Sequence, residues 1–315
     1  MSEPDVATKA PESDAQDELT PQTSPGGPGV GEHCVTDRPT PTGQAATGEI
    51  IEVNGVKTYI AKPSDYPHAP ARLLLLLTGG TGLNSPNNQI QADKYASEGF
   101  LVAMPDLFSG DPAPTSSAIE EEDTGSLLDK VRMRAVEAAK SFVIDMWMAR
   151  HTPEKILPIL HRVIDGCKEK FADAVRHGDG IYAVGYCIGG RYVLLLGRET
   201  PAPAGQPADE EEGAVRQAPL IKAGALAHAA SVVPDDFNGL KVPVSIVCVE
   251  NDPLFPDDVR TAGEDAMASA NLEHEVRVYP GVPHGFAVVG QYEDAGIKEA
   301  QETAYDQMLK WVQDH

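Results

Sequence analysis

The sequence feature that most restricts the fold is a run of five leucines at 73–77, closed by Thr78 and two glycines. A continuous apolar run of this kind is typical of a parallel strand buried on both faces. Similar short segments follow it, separated by helical ones, and this alternation predicts an α/β fold with a mostly parallel central sheet and helices on both faces. The other predicted strands lie at 100–105, 181–186, 223–228, 244–250 and 275–280, and the predicted helices at about 89–99, 126–176 with a break near 152–153, from 188 onward, and 297–312.

The regions outside this alternation differ from it in composition. Residues 1–45 are rich in Pro, Ser, Thr, Gly and acidic residues, so we expect a disordered or loosely docked acidic tail. His33 and Cys34 lie in this tail without further ligands nearby, so no metal site is expected there. Two short strands flank Asn54-Gly55, which predicts an N-terminal β-hairpin. The remaining chain, 46–315, is expected to form one domain with a flexible acidic insertion at 201–217.

Charge and cysteine usage exclude several classes of function. A formal net charge of −23 argues against nucleic-acid binding, which depends on Lys and Arg. The longest apolar run is far too short to span a membrane, and the N-terminus lacks the apolar core of a signal peptide. The four cysteines form no CxxC pair, which favours reduced thiols and a cytoplasmic protein. The expected oligomeric state is a monomer or a homodimer.

The strongest local motif is Gly-Tyr-Cys-Ile-Gly-Gly at 185–190, which follows an apolar strand and opens an apolar helix. This is the context of a nucleophile elbow, where a sharp strand-to-helix turn presents the nucleophile and small neighbours allow close approach of the chain. Cys187 would then lie at a helix N-terminus, where the thiolate is favoured. The alternative is a buried core cysteine beside a glycine turn.

Two further residues complete a candidate catalytic triad. Asp252 follows the strand predicted at 244–250, and His284 lies in a Gly/Pro-rich loop after the next strand. Their order, nucleophile then acid then histidine, is the order expected for this architecture, and strand ends are where ligands collect in α/β sheets. We therefore expect Cys187, Asp252 and His284 to form the triad of a cysteine hydrolase.

These motifs resemble the dienelactone hydrolase family, over about residues 34–315. The resemblance implies an α/β-hydrolase fold, no cofactor, no metal, and hydrolysis of a lactone or small ester through an acyl-thioester intermediate. It is carried by the segments 185–190, 252, 284–286, 47–50, 54–59, 104–108 and 110–111.

Two departures from the family pattern bear on the substrate. Members commonly carry an acidic residue just after the strand that ends here at Thr78, whereas this chain has Gly79. They also tend to carry an arginine a few residues after the histidine, where this chain has Val289. Losing a bidentate carboxylate ligand argues against an anionic dienelactone and for a neutral or differently anchored lactone or ester. Arg150 is a possible substitute, with a surface or packing role as the alternative.

The remaining candidate residues have roles around the nucleophile. The backbone N–H groups of Ile188 and Gly80 are expected to form the oxyanion hole. The alternative for His228 is a structural histidine. For Trp147, Tyr186 and Phe286 the alternative is aromatic packing. The proposed substrate-binding residues are Gly79, Tyr186, His228, Phe286, Trp147 and Arg150.

Two other functions remain open at this level. The same site could perform isomerase or cyclase chemistry, because function depends on the site rather than on the fold. A non-catalytic ligand-binding or scaffold protein is the other alternative, favoured by the two departures. Reactivity of Cys187 well above that of Cys167 and Cys248 would distinguish an enzyme from a scaffold.

Overall fold

The computed structural model describes residues 37–114, 143–201 and 216–315 of the chain. The predicted helical region at 126–142 and most of the insertion at 201–217 therefore lie outside the described residues, as does the tail before residue 37. The strands are β1 Glu49–Val53, β2 Val56–Ala61, β3 Arg72–Leu77, β4 Phe100–Pro105, β5 Ile181–Tyr186, β6 Thr200–Pro201, β7 Arg216–Gln217, β8 Ala223–Ala227, β9 Val244–Val249 and β10 His274–Tyr279. The helices are α1 Pro86–Ser97, α2 Pro153–Lys170, α3 Ala172–His177, α4 Ile188–Leu196, α5 Asp257–Ser269 and α6 Ala295–Asp314, with further helical residues at 143–150 and a 3-10 turn at Pro234–Phe237.

Eight of these strands form one sheet in the order β1-β2-β4-β3-β5-β8-β9-β10. The pairs β1–β2 and β2–β4 are antiparallel, and all other pairs in this sheet are parallel. The predicted hairpin is confirmed, with Val53 opposite Val56 across the turn. The chain runs from β3 outward to β4 and then returns to β5 on the other side of β3. The crevice at such a reversal, beyond the carboxyl ends of the strands, is where ligands bind in open α/β sheets.

The leucine run of β3 fills both faces of the sheet. Leu73, Leu75 and Leu77 belong to one hydrophobic cluster, which α2, α4 and α5 cover. Leu74 and Leu76 belong to the opposite cluster, which α1 and α6 cover. The continuous apolar run is thus explained by burial on both sides, and the expected α/β-hydrolase arrangement of helices on both faces is confirmed.

Sequence periodicity located most of these elements. The strands β4 and β5 have the predicted bounds, and the predicted break near residues 152–153 separates the helical residues 143–150 from α2. The helix α5 was not predicted, because it buries only Gly263 and Met267 and therefore has a weak apolar pattern. The two ends of the acidic insertion pair as the short strands β6 and β7.

Candidate active site

Cys187 occupies a strained turn between β5 and α4. Its φ is 53° and its ψ is −121°, values that a non-glycine residue rarely adopts. Close approach of the chain explains the glycines around it. A Cβ on Gly189 would lie 2.1 Å from the carbonyl oxygen of Leu77, and one on Gly185 would lie 2.5 Å from that of Gly189. The turn can therefore form only with glycine at these two positions.

The turn holds Cys187 at the N-terminus of α4, with the residue 3% exposed. Its backbone N–H donates to the carbonyl oxygen of Ala227 at 3.1 Å. Its carbonyl accepts from the N–H groups of Gly190 and Ala230, both at 3.0 Å. Because the helix N-terminus carries partial positive charge, this position favours a thiolate.

Asp252 and His284 meet beyond the carboxyl ends of β9 and β10. The Nδ1 atom of His284 lies 2.7 Å from Oδ2 of Asp252, and both side chains are buried. The other carboxylate oxygen, Oδ1, accepts from the N–H of Leu254 at 3.0 Å. The carboxylate is thus fixed by its own loop and in turn orients the imidazole, with Nδ1–H as the donor.

The imidazole of His284 also interacts with the thiol of Cys187. Burial lowers the pKa of His284, but hydrogen bonds and charges from Asp252 and Cys187 outweigh this effect and raise the pKa to about 9. The three residues predicted from their order in the sequence therefore lie together, with the imidazole between the carboxylate and the sulfur. The imidazole is thus placed to exchange a proton with the thiol of Cys187.

The other two described cysteines differ from Cys187 in their surroundings. Burial raises the pKa of Cys167 to about 12. It also raises the pKa of Cys248 to about 12, mainly through desolvation. Both are free thiols within the hydrophobic core, as expected from the sequence, and their high pKa values make them poor nucleophiles.

His228 follows β8 and lies directly beside His284. Its ring centroid is 5.0 Å from that of His284, and the residue is fully buried. Neither ring nitrogen has a hydrogen-bond partner among the described residues. Burial, together with the charge of His284, lowers the pKa of His228 well below its ordinary value. His228 is therefore a neutral imidazole at the wall of the site.

The backbone after β3 passes alongside the thiol. A Cβ on Gly79 would lie 3.1 Å from Cβ of Cys187 and 3.7 Å from its sulfur. Gly80 follows in a buried turn and accepts a hydrogen bond from the N–H of Ala113 at 2.8 Å. Ile188 begins α4, so its N–H has no partner within that helix. These positions leave the two backbone N–H groups as candidate donors at the site.

Tyr186 and Phe286 are buried, and the rings of both residues pack against His228. The hydroxyl groups of Tyr186 and Tyr95 are 2.9 Å apart, and both rings are buried. Phe286 packs edge-on against His228, with centroids 6.1 Å apart, and against Tyr279. Both aromatic residues therefore support His228 by packing, which is the alternative considered for them from the sequence.

Trp147 and Arg150 are not brought to the cavity beside Cys187. Trp147 is completely buried, packs on Phe108 and His151, and donates its indole N–H to the carbonyl of Asp111 at 2.8 Å. Arg150 is half-exposed and forms an ion pair with the Asp111 carboxylate at 3.1 Å. The helix of residues 143–150 thus packs on the loop after β4, and contact of these two residues with a substrate stays a prediction.

A small cavity opens beside the sulfur of Cys187 and has a volume of about 40 Å³. Its wall combines polar and apolar residues, and several of them do not stand out in the sequence. Residues 37 and 38 come from the predicted tail, and their position depends on tertiary contacts that leave no pattern in the sequence. The lining residues are Asp37, Arg38, Gly79, Thr81, Asn87, Asn88, Cys187, His228, Gly285, Val288, Val289 and Tyr292.

The described residues contain neither a metal-binding cluster nor a helix that could span a membrane. Within 37–114, 143–201 and 216–315, no group of three or more His, Cys, Asp or Glu side chains is arranged to hold a metal ion. Across the same ranges, no helix has the length and apolar character needed to cross a membrane.

Comparison with known proteins identifies related sequences and folds. The family model described as "Dienelactone hydrolase family" matches residues 56–315. Hydrolase pyvD of Aspergillus violaceofuscus is 27% identical over 84% of this chain and 89% of its own length. Dienlactone hydrolase 1 of Gibberella moniliformis is 26% identical over 84% of this chain and 87% of its own. A putative dienelactone hydrolase from Klebsiella pneumoniae has a similar fold, with a TM-score of 0.60, 18% identity, and coverage of 86% of this chain and all of that one.

Proposed function

Because the chain belongs to the dienelactone hydrolase family, we propose that this hydrolase cleaves a lactone or a small carboxylic ester through Cys187, His284 and Asp252. The observation that carries the proposal is the imidazole of His284. It is bonded to the carboxylate of Asp252 at 2.7 Å and interacts with the thiol of Cys187 at a cavity. This is the nucleophile, base and orienting group that covalent acyl transfer requires.

The first half-reaction forms an acyl-enzyme. The thiolate of Cys187 attacks the carbonyl carbon of the substrate, so a C–S bond forms and the carbonyl oxygen becomes an oxyanion. Collapse of this intermediate breaks the bond to the leaving oxygen, which takes the proton from the imidazolium of His284. A lactone ring opens in this step, whereas a linear ester releases its alcohol.

Backbone donors are well placed to stabilise the oxyanion. The N–H of Ile188 points from the start of α4, and the turn at Gly79 and Gly80 approaches the sulfur without side chains. A single donor of this kind typically contributes about 3 kcal/mol to transition-state stabilisation. In this proposal, the N–H groups of Ile188 and Gly80 form the oxyanion hole, and the two glycines leave room for the substrate carbonyl.

The second half-reaction needs His284 as a base. Once Cys187 carries the acyl group, its negative charge no longer raises the pKa of His284, whereas burial continues to lower it. The imidazole can then take a proton from water. The resulting hydroxide attacks the thioester carbonyl, the C–S bond breaks, and the thiolate is restored beside the imidazolium.

A hydrolysis screen tests this proposal. Wild type, Cys187→Ala and Cys187→Ser would be assayed with p-nitrophenyl acetate, p-nitrophenyl butyrate and simple five- and six-membered lactones. We expect hydrolysis by wild type and a loss of about 10³-fold or more in Cys187→Ala, the scale of losing a triad nucleophile. Cys248→Ala is the matched control, because Cys248 is a buried thiol outside the site.

The outcomes separate the enzyme from the alternatives. Activity that persists in Cys187→Ala would refute the assignment of the nucleophile. Mass spectrometry provides an independent measure of the same proposal, since iodoacetamide should modify Cys187 much faster than Cys167 or Cys248. Equal and slow modification of all three thiols, with no hydrolysis, would favour the non-catalytic reading.

A further inference from the structure

The cavity beside Cys187 is too small for the proposed substrates. Its volume of about 40 Å³ has room for roughly three water-sized groups. Ligand pockets usually have volumes of about 300 Å³ or more. Cys187 is 3% exposed, so a substrate larger than the cavity requires part of the wall to move.

One part of that wall is a chain segment without regular secondary structure. Residues 37–46 precede β1, and most of them are exposed to solvent. Asp37 and Arg38 at one end of the segment line the cavity. The other described lining residues lie at the ends of strands, in α1 and in residues 280–294, the loop that carries His284 (the histidine loop). These elements are parts of the packed domain.

The cavity end of this segment is held by a small set of contacts. The side-chain amide of Asn87 donates to the carbonyl of Arg38 at 2.7 Å, and the N–H of Gln291 donates to the carbonyl of Pro39 at 2.8 Å. The guanidinium of Arg38 also lies 5.0 Å from the ring centre of Tyr292. Partial burial raises the pKa of Asp37, while hydrogen bonds from the hydroxyl groups of Ser85 and Thr81 act in the opposite direction.

The other end of the segment is anchored separately. The N–H of Thr47 donates to Asp93 at 2.6 Å, and the N–H of Gly48 donates to the hydroxyl of Tyr59 at 2.6 Å. Between the two ends, Gly43 has a φ of 82° and a Cβ on it would meet no atom within 4 Å. Residues 40–46 thus connect two separately anchored ends, and most of them are exposed.

We propose that residues 37–46 form a strap that closes the cavity over Cys187, admits substrate when its cavity end lifts, and restricts the closed site to small acyl groups. Detaching the cavity end breaks the hydrogen bonds to the carbonyl groups of Arg38 and Pro39, the hydrogen bonds of Asp37 to Ser85 and Thr81, and the cation–π contact of Arg38. This is a local opening, compared with unfolding the domain. The restriction on acyl size rests on the proposed hydrolase function, whereas the shielding of the thiol does not.

A reversible crosslink tests the strap in the full chain. Pro39→Cys with Gln291→Cys, in a Cys34→Ser background, places a disulfide where the backbone bond now joins strap and histidine loop. The oxidised and reduced forms of one protein are matched controls, with the disulfide and the site of alkylation located by peptide mass spectrometry. We expect oxidation to slow the modification of Cys187 by iodoacetamide about tenfold or more, because the crosslinked strap can no longer open.

A second variant works in the opposite direction. A Cβ on Gly290 would lie 2.7 Å from Cβ of Arg38, so Gly290→Ala pushes the strap outward. We expect Cys187 in this variant to be alkylated faster than in wild type. We also expect the ratio of kcat/KM for p-nitrophenyl octanoate to that for p-nitrophenyl acetate to rise about tenfold, because the wall no longer limits acyl length.

Each result supports or overturns the proposal. Equal Cys187 alkylation rates in the oxidised, reduced and Gly290→Ala proteins would overturn it, as would failure of the cysteine pair to oxidise. Changed alkylation with no hydrolysis of any ester would retain the shielding strap and refute the hydrolase assignment. Changed alkylation with an unaltered acyl-length ratio would refute the restriction on acyl size.

Discussion

Asp252 and His284 are separated by 32 positions in the sequence, yet their side chains are joined by a 2.7 Å contact between Oδ2 and Nδ1. The two residues follow neighbouring parallel strands, β9 and β10, so their loops emerge at the same edge of the sheet. The carboxylate has a second bond to the N–H of Leu254, which fixes it before any substrate arrives. Orientation of the imidazole is therefore built into the folded chain.

The first prediction concerns Asp252→Asn. This change keeps the shape of the side chain but removes the charge that helps to raise the pKa of His284. We expect the pKa of His284 to fall and kcat for ester hydrolysis to drop about 10³-fold to 10⁴-fold, the scale of the equivalent change in a serine triad. Asp257→Asn, an exposed change on α5, is the control and should leave both quantities unaltered. Titration of His284 by NMR, with kinetics on the same samples, checks the prediction, and an unchanged pKa would contradict it.

The second prediction concerns stability as a function of pH. The folded-state pKa of His284 is raised to about 9 from an ordinary value of 6.5. Protonation of His284 therefore stabilises the fold fully below about pH 6.5, and this contribution is lost as the pH rises through about 9.

The measurement is urea unfolding of wild type and His284→Gln between pH 6 and pH 10, a range chosen to span the transition in roughly half-unit steps. The difference in their free energies of unfolding isolates His284 from other titrating groups. It should become less favourable to wild type as the pH rises. A difference that stays constant across this range would show that the folded-state pKa is not raised.

The sheet and the three central residues could be predicted because their signals are local or follow from topology. The leucines of β3 alternate between two hydrophobic clusters, so an unbroken apolar run was sufficient to predict a buried strand. Cys187, Asp252 and His284 each follow a strand of the parallel sheet, and parallel strands place their carboxyl ends on one edge. Order and position in the sequence therefore indicated proximity in space.

The strap and the side chains around the cavity could not be predicted in the same way. Arg38 and Pro39 are held through their backbone carbonyl groups, which every residue has, so composition alone suggested a tail. The sequence alone could not assign Trp147 to a pocket wall or to the core, because a large aromatic residue on a helix fits both equally well. Its burial against Phe108 was decided by how the helix packs, which the local sequence does not specify.

The third prediction separates the structural from the chemical role of the glycines near Cys187. A Cβ on Gly189 would lie 2.1 Å from the backbone oxygen of Leu77, which cannot move without distorting β3. We expect Gly189→Ala to reduce the free energy of unfolding by about 3 kcal/mol or more. The closest atom to a Cβ on Gly79 is Cβ of Cys187 at 3.1 Å, and its other contacts are at 3.7 Å, so Gly79→Ala should cost about 1 kcal/mol.

The activity of Gly79→Ala should fall for a reason other than lost stability. In Gly79→Ala the added methyl group occupies the space beside the sulfur, and we expect kcat to fall about 10-fold to 100-fold in a protein that remains folded. Urea unfolding and ester kinetics measure the two effects separately. Wild-type kinetics in Gly79→Ala would mean that the substrate carbonyl does not approach the thiol along this turn.

The fourth prediction contrasts two arginine–carboxylate pairs. Arg191 donates to the buried Asp236 through Nε at 2.8 Å and through a second nitrogen at 3.2 Å, and Asp236 also accepts from the N–H of Val233. Asp236→Ala leaves these donors without a partner, so we expect a loss of about 3 kcal/mol in the free energy of unfolding. Arg150 pairs with Asp111 at the surface, and Arg150→Ala should change stability by less than about 1 kcal/mol.

The variant Arg150→Ala also tests whether Arg150 has any part in substrate binding. Its guanidinium is bonded to Asp111, and it is absent from the described lining of the cavity. We therefore expect Arg150→Ala to retain kcat/KM for a lactone carboxylate and for its methyl ester in the wild-type ratio. A selective rise in KM for the carboxylate alone would contradict this, because it would mean that Arg150 leaves Asp111 to bind the substrate anion. Asp111→Asn would then lower the KM for the carboxylate, because it would release the guanidinium of Arg150.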